Sequence, residues 1–175
     1  MMNKFSKFLF SVAGFSCCLS ANPKTDLPYR GGDISMLLKY KEMNQSFYKT
    51  NKKSNALDIM KEAGCNFFRV RLFVNPNKKR GVIQDLDYVL KLAKVLKSLK
   101  VKFLLDIHYS DTWADPGQQS IPAQWQKLSF NDLVKKVESY TFDVLSRMEE
   151  EACLPDMVQV GNEVTHGMLW PYGKI

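Results

Sequence analysis

Along residues 54–160, segments with the apolar spacing of a helix alternate with short, continuous apolar runs. Short apolar runs at 67–74, 101–108 and 157–160 have the length and composition of buried strands. Helical spacing of apolar residues predicts helices over 54–64, over 85–100 and from Ser129 onward, where Asp132 completes a capping box. A first strand is predicted at 31–35, followed by a long polar connection. The predicted order is therefore βαβαβαβ within one unit.

Near-continuously apolar strands separated by helices are typical of a parallel sheet covered by helices. A doubly wound sheet and a (β/α)8 TIM barrel both have this order. No GxGxxG or GxxxxGK[ST] pattern follows the first strand, which argues against the usual dinucleotide and P-loop sites. Polar residues gather instead at the C-terminal ends of the strands, where barrel active sites are built. These residues are Asp33, Arg69, Arg71, Asp106, His108, Asn162 and Glu163.

Side-chain alternation assigns these residues to faces of the sheet. Arg69 and Arg71 share one face of the second strand, and Asp106 and His108 share one face of the third. Because the opposite faces are wholly apolar, we expect them to meet the helices and the charged residues to point inward. A buried polar network that only specifies the fold would give the same pattern. Convergence at one end of four strands favours a functional site.

Several of these residues have the chemistry of carbohydrate cleavage. Glu163 is a candidate general acid in an enclosed setting, and Asn162 can donate to a substrate hydroxyl. Trp113 and Trp170 are candidate surfaces for sugar stacking, although both could instead pack over the end of the sheet. In the same loops, Asp111 and Asp115 can each accept from a pair of hydroxyls.

The net charge of +7 is unevenly distributed. Through Lys102 there are 20 Lys and Arg against 7 Asp and Glu, a balance of +13, and after it 5 against 11, a balance of −6. Most of the excess is Lys in loops and on helix faces, for instance Lys91, Lys94, Lys97 and Lys100, which share one polar stripe of a predicted helix. This placement predicts a solvated face and no nucleic-acid partner.

The N-terminal 21 residues have the pattern of a secretory signal, which leaves 22–175 as the folded domain. Lys4 and Lys7 precede an apolar run at 8–15 that is too short to span a membrane. We therefore expect a secreted, periplasmic or cell-surface protein.

The four cysteines divide into two pairs. Cys17 and Cys18 follow the apolar run, where lipid attachment and simple removal of the signal remain open alternatives. A lipid anchor would be the only link to a membrane. Cys65 and Cys153 lie far apart without CxxC spacing, and we expect buried free thiols.

Four motifs in order resemble the strand-end motifs of the glycoside hydrolase family 53 endo-β-1,4-galactanases. They are GGDIS, RVRLFVNP, DIHYSDTWADPGQQ and GNEVTHGMLWP, and the resemblance extends over residues 30–173. It implies a (β/α)8 barrel of glycosidase clan A, of which this sequence holds about the first four βα units. It further implies hydrolysis, with retention, of β-1,4-galactan in type I arabinogalactan.

The resemblance also implies roles for the strand-end residues. Glu163 would be the acid/base and Asn162 its substrate-binding neighbour, with Arg69 and Arg71 beside the nucleophile. Phe73 stands where the family usually has Trp. The remaining residues would bind substrate along the cleft: Asp33, Asp106, His108, Asp111, Trp113, Asp115 and Trp170.

A retaining glycosidase needs a second carboxylate about 5–5.5 Å from the first. In this clan the resemblance implies that it lies at the end of the seventh strand, beyond the four strands predicted here. We therefore expect an N-terminal half that lacks its nucleophile and is inactive alone. No cofactor is expected in this half, and any calcium site of the family is expected in the other.

Three other functions remain open. The first is another clan A endo-glycanase, such as a mannanase or xylanase, although the WADP loop argues against it. The second is a non-catalytic, surface-anchored remnant that binds sugar. The third is a metal-dependent barrel hydrolase, which the presence of only two histidines disfavours.

Overall fold

The computed structural model describes residues 29–175, so the predicted signal and the lipidation of Cys17 or Cys18 lie outside the described residues. The central sheet has three parallel strands in the order β3 (Phe67–Leu72), β4 (Lys102–Ile107) and β5 (Met157–Val160). Arg71 is in register with Asp106, and Asp106 with Gln159. The predictions of these three strands are thus confirmed, within one or two residues at their ends.

The predicted first strand is wrong in extent. Only one bridge forms, between Asp33 and Arg69, with hydrogen bonds from the Ile34 amide to the Arg69 carbonyl (3.1 Å) and from the Arg69 amide to the Gly32 carbonyl (3.0 Å). The chain turns immediately afterwards, where the Leu37 amide donates to the Ile34 carbonyl at 2.9 Å. The turn ends the pairing, but the bridge still places Asp33 beside β3.

Local capping signals account for three of the four α-helices. Helices α2 (Ala56–Glu62), α3 (Leu86–Ser98) and α4 (Phe130–Glu150) begin after Asn55, Asp85 and Ser129, whose side chains accept backbone amides of the first turn. In α4 the Ser129 hydroxyl also donates to the Asp132 carboxylate at 2.6 Å. The helix predictions for these three segments are confirmed.

The connection predicted between the first strand and α2 contains regular structure instead. It holds α1 (Leu37–Glu42) and a hairpin of β1 (Phe47–Lys49) and β2 (Lys52–Ser54), with left-handed Thr50 and Asn51 at its turn. These elements are too short for a periodic pattern to identify them. A 3-10 turn (Ala123–Trp125) and a second hairpin of β6 (Gly167–Met168) and β7 (Gly173–Lys174) were likewise not predicted.

The core lies between the sheet and the helices. Phe68, Val70 and Leu72 of β3 and the facing residues of β4 are at most 1% exposed. They pack with Leu57 of α2 and, through the same cluster, with buried residues of α3 and α4, namely Val89, Leu92, Ala93, Leu96, Val144 and Met148. The prediction that the apolar strand faces meet the helices is confirmed.

The sheet is open along β5. Met157 and Val160 are 40% and 57% exposed, and β5 pairs only with β4 among the described strands. Residues 29–175 therefore form an open run of parallel βα units, not a closed barrel. No helix in this part of the chain is long and apolar enough to cross a membrane. Cys65 and Cys153 are free; Cys153 is buried and Cys65 only half-buried.

Candidate active site

The sheet face opposite the core carries a network centred on Arg69. Its guanidinium donates to Asp33 (3.3 Å), to Asp106 and to the Asn162 amide oxygen (2.6 Å). Arg71 binds the other oxygen of Asp33 at 3.1 Å. The network therefore joins Asp33 and the C-terminal ends of the three strands; side-chain alternation predicts this shared face for Arg69, Arg71 and Asp106.

Asp106 is the most buried charge in this network. Its side chain is fully enclosed, and Arg69 compensates the cost of burying a carboxylate. The Nε2 atom of His108 lies 3.3 Å from the Asp106 carboxylate without hydrogen-bond geometry, and it has no hydrogen-bond partner among the described residues. The same holds for Oδ1 of Asp106. Buried polar atoms are seldom left unpaired, so these two atoms mark a place where the network is incomplete.

The turn after β5 separates Asn162 from Glu163. Gly161 (φ 84°) and Glu163 (φ 47°) both adopt left-handed conformations, and a Cβ on Gly161 would lie 2.6 Å from the Val164 side chain. Asn162 is consequently buried and donates to the Ala114 carbonyl at 2.6 Å. Glu163 points the other way and is exposed. The described residues do not enclose Glu163, so they do not provide the setting on which its candidate role as a general acid depends.

The loop after β4 is held by backbone contacts at its centre. The Ala114 amide donates to Nδ1 of His108 at 3.3 Å, and the Ala114 carbonyl accepts from Asn162. Because Nδ1 accepts this bond, the ring proton of a neutral His108 lies on Nε2, which faces Asp106. Ala114 thus ties the ends of β4 and β5 together.

Three rings form a cluster beside the arginines. Phe73 is fully buried, with its centroid 4.4 Å from that of His108 and 5.9 Å from that of Trp113. The Arg71 guanidinium lies 4.6 Å from the centroid of Trp113. Trp113 is half-buried and remains a candidate stacking surface, whereas Phe73 supports it from below and offers none.

Asp111 and Asp115 both accept backbone amides. The two oxygens of Asp111 accept from Asn75 (3.0 Å) and Ala123 (2.8 Å), which joins the loop after β3 to two parts of the connection after β4. One oxygen of Asp115 accepts from the amides of Gly117 and Gln118 within its own turn. The structure thus gives each carboxylate a role in loop architecture, and the binding of sugar hydroxyls by them stays a prediction.

Trp170 lies at the far side of the same end of the sheet. Its indole donates to the His166 carbonyl at 2.9 Å, and the Lys174 ammonium lies 4.6 Å from the ring centroid. Its backbone forms a bridge with Ser120 in the loop after β4. Trp113 and Trp170 therefore flank the strand ends on two different loops, a placement that sequence spacing alone could not establish.

Comparison with known proteins identifies the family. The sequence model described as glycosyl hydrolase family 53 matches residues 29–175. The chain belongs to this family. The same range holds the network around Arg69 and the turn that carries Glu163, so the family assignment covers the whole candidate site.

Two relatives named as probable arabinogalactan endo-β-1,4-galactanase A come from Aspergillus species. The protein of Aspergillus niger is 39% identical over 164 residues, covering 91% of this chain and 46% of the relative. That of Aspergillus terreus is 41% identical over 148 residues, covering 84% and 42%. The chain thus spans less than half the length of these family 53 relatives.

Two solved structures share the fold of the described residues. A fungal β-1,4-galactanase structure superposes with a TM-score of 0.77 at 35% identity, covering 83% of this chain and 43% of that one. The family 53 catalytic domain of Ignisphaera aggregans superposes with a TM-score of 0.77 at 38% identity, covering 83% and 42%. The open run of βα units is therefore a family 53 fold over the region that is shared.

Metal-ligating side chains do not cluster in the part of the chain that the structure describes. Among residues 29–175 there is no group of three or more His, Cys, Asp or Glu side chains that could hold a metal ion. The expectation that this half binds no cofactor stays a prediction.

Proposed function

We propose that this chain contributes the acid/base side of an endo-β-1,4-galactanase active site. The observation that carries the proposal is the turn after β5, where buried Asn162 is held by Arg69 and Ala114 while Glu163 is left exposed at the C-terminal edge of the sheet. That edge is where parallel α/β enzymes bind their substrates. The relatives named as arabinogalactan endo-β-1,4-galactanases support β-1,4-galactan as the substrate.

Glu163 would act twice in a retaining reaction. In the first step its carboxylic acid donates a proton to the glycosidic oxygen as the bond from that oxygen to the anomeric carbon breaks. In the second step the resulting carboxylate removes a proton from the water that attacks the covalent glycosyl–enzyme ester. A second carboxylate on the opposite side of the anomeric carbon attacks that carbon in the first step and forms the ester, and it leaves as the free carboxylate when water attacks in the second.

The acidic residues nearest the network are poorly suited to be that nucleophile. Asp106 is fully enclosed and bound to Arg69. Asp33 accepts from both Arg69 and Arg71. Both carboxylates are held in place by arginine, and Asp106 has no exposed surface from which it could reach an anomeric carbon. We therefore propose that the 175 residues alone do not hydrolyse galactan and that a further part of the barrel supplies the nucleophile.

The flanking residues would bind the polysaccharide. Trp113 and Trp170 offer ring faces on either side of the strand ends, and the amide of Asn162 lies next to the acid/base. The partly exposed Asp33 and Arg71 lie in the same network. The proposal includes substrate contacts by these residues, and by His108, Asp111 and Asp115, along one cleft over the C-terminal edge of the sheet.

A hybrid enzyme tests the proposal. The chain is joined to the C-terminal half of the Aspergillus niger relative, and hydrolysis of β-1,4-galactan is measured beside the isolated chain. We expect hydrolysis only by the hybrid, with NMR of the first product showing the β-anomer. Galactan cleavage by the isolated chain, or inversion by the hybrid, would contradict the proposal.

Substitution of Glu163 in the hybrid tests its role. Glu163→Gln should lower kcat on galactan by about 10²-fold or more, because general acid catalysis is lost. Galactosides with an activated aryl leaving group need less protonation, so their first step should be affected less. Glu138→Gln, an exposed substitution on α4, is the matched control and should leave both rates unchanged.

Export is a separate proposal that rests on residues 1–21. A reporter fused after Ala21 should leave the cytoplasm, and retention of the reporter would contradict export. Lipid attachment is tested by fatty-acid labelling of the wild-type chain and of a variant with both Cys17 and Cys18 replaced by Ser. Label that is absent, or equal in both proteins, would show that no lipid is attached at these residues.

A further inference from the structure

Gln119 is a buried side chain that links the loop after β4 to the turn bearing Glu163. It is 3% exposed, and its Nε2 atom lies 2.8 Å from the Asn162 carbonyl oxygen and 3.3 Å from that of Glu163. We propose that Gln119 is a positioning residue that sets the orientation of Glu163 and, through its backbone, the position of Trp170. The inference rests on the proposed role of Glu163 as acid/base.

The turn needs such a donor because the sheet no longer supplies one. The last hydrogen bond between β4 and β5 runs from the Gly161 amide to the Ile107 carbonyl at 3.0 Å. Beyond it the carbonyls of Asn162 and Glu163 lie next to each other, and Glu163 holds a left-handed backbone that non-glycine residues seldom adopt. One amide group that donates to both carbonyls favours this conformation over the extended one.

The same residue also fixes Trp170. The Trp170 amide donates to the backbone carbonyl of Gln119 at 2.7 Å, and the adjacent Ser120 forms a bridge with Trp170. Gln119 therefore contacts the turn of Glu163 through its side chain and the loop of Trp170 through its main chain. A third weaker contact, from Nε2 to the Asp115 carbonyl at 3.3 Å, anchors the side chain within its own loop.

The chemistry of the amide group explains why glutamine suits this position. Its NH2 group has two donors, and the three nearby acceptors are all carbonyl oxygens. A carboxylate in the same place has no donor, so it could not bind those carbonyl oxygens. A methionine of similar length would also leave all three oxygens without this donor. Gln118, the preceding residue, is exposed and donates to the Trp113 carbonyl at 3.0 Å. It offers a matched control.

NMR of the full 175-residue chain tests the positioning role without requiring activity. Gln119→Met should shift the carbonyl ¹³C signals of Asn162 and Glu163, while the indole signal of Trp170, which Gln119 contacts through its main chain, should change less. The indole signals of Trp113 and Trp125 should stay, because neither residue contacts Gln119. Gln118→Met should leave the Asn162, Glu163 and Trp170 signals in place. Unchanged signals in Gln119→Met, or the same shifts in Gln118→Met, would overturn the inference.

A second variant keeps the test decisive if Gln119→Met fails to fold. Gln119→Glu can donate one hydrogen bond only while its carboxyl is protonated. The signals of Asn162 and Glu163 should therefore return toward the wild-type positions as the pH falls and depart from them as it rises. A role confined to filling space predicts no such pH dependence, and its absence would overturn the inference.

Kinetics of the hybrid enzyme then link position to chemistry. Gln119→Met should lower kcat by about 10-fold to 10²-fold with KM little changed, because a small misplacement of the acid affects the reaction more than binding. An unchanged kcat would overturn the inference. An inactive wild-type hybrid would contradict the proposed function, while the NMR result would still decide the positioning role.

Discussion

The two faces of β3 and β4 differ sharply in chemistry. Toward the helices, Phe68, Val70 and Phe103 are at most 1% exposed and surrounded by hydrocarbon. On the opposite face, Arg69 and Asp106 form part of a charged network that extends to Asn162. Successive residues of the same strands alternate between these environments because strand side chains alternate in direction.

The core face contributes mainly to the stability of the fold, and the network face mainly to the candidate active site. On the core face, each side chain contributes by leaving water, so its loss costs free energy in proportion to the area and cavity involved. On the network face, removal of one member leaves the others buried without a partner, so the cost depends on what remains. The core face should therefore dominate the free energy of unfolding, while the network face decides which side chains reach the substrate.

The largest effect is expected at the centre of the core face. Phe103→Ala should lower the free energy of unfolding by about 3–5 kcal/mol, because it leaves a cavity where the ring is fully buried. Urea unfolding followed by circular dichroism measures the change. The control is Phe142→Ala on α4, where the ring is 70% exposed and the cost should be below about 1 kcal/mol. Equal losses would show that the two faces do not differ in this way.

The next effect is expected in the network. Arg69→Met should lower the free energy of unfolding by about 2–3 kcal/mol, because it leaves the fully buried Asp106 without its cation. The arginine side chain is partly exposed, so little packing is lost with it. The double variant with Asp106→Leu should recover much of that loss. Lys39→Met, which breaks an exposed ion pair with Glu42, should cost no more than about 0.5 kcal/mol. Additive losses in the double variant would contradict coupling through the buried charge.

Alkaline pH should lower the free energy of unfolding through Tyr140, which packs against the core. Burial raises the pKa of Tyr140 above its ordinary value of 10.0, and the nearby Tyr109 and Asp111 raise it further. The stability this group contributes is complete below pH 10. Above it the unfolded chain loses the proton while the folded chain keeps it, so stability falls.

Unfolding measured between pH 8 and 11 tests this expectation. Tyr140→Phe should reduce the alkaline loss of stability, because the ring remains and only the ionisable hydroxyl is removed. Tyr172→Phe, at a 46% exposed position, is the control and should keep the wild-type slope. A slope that is the same in all three proteins would contradict the assignment to Tyr140.

The smallest effect is expected on β5, where the contrast between faces disappears. All four residues of this strand are at least partly exposed. Val160→Thr should therefore change the free energy of unfolding by less than about 0.5 kcal/mol in the 175-residue chain. In the hybrid enzyme the same substitution should cost more, if the added part of the barrel covers this edge. Equal effects in the two proteins would show that the edge stays open.

Much of the fold could be predicted because its signals are local. The caps at Asn55, Asp85 and Ser129 lie within three residues of the amides they bind, and alternation along β3 and β4 depends only on neighbouring positions. The short elements between residues 37 and 54 were not predicted, because hairpins and single helical turns of this length have no periodic pattern. The first strand was predicted too long, because the turn that ends its pairing after the bridge at Asp33 leaves no periodic signal in the sequence.

The sequence by itself determined which residues carry the candidate chemistry and which strand ends bear them. Only the tertiary structure decided how they are used. The oxygens of Asp111 accept two backbone amides. Two left-handed residues leave Asn162 buried and Glu163 exposed. Gln119, 43 positions before Asn162, donates to the carbonyl of Asn162 in that turn. The physical reason is that capping and alternation act between neighbours, whereas the partner of a polar group in a loop depends on which distant segment the packed core brings within hydrogen-bond distance.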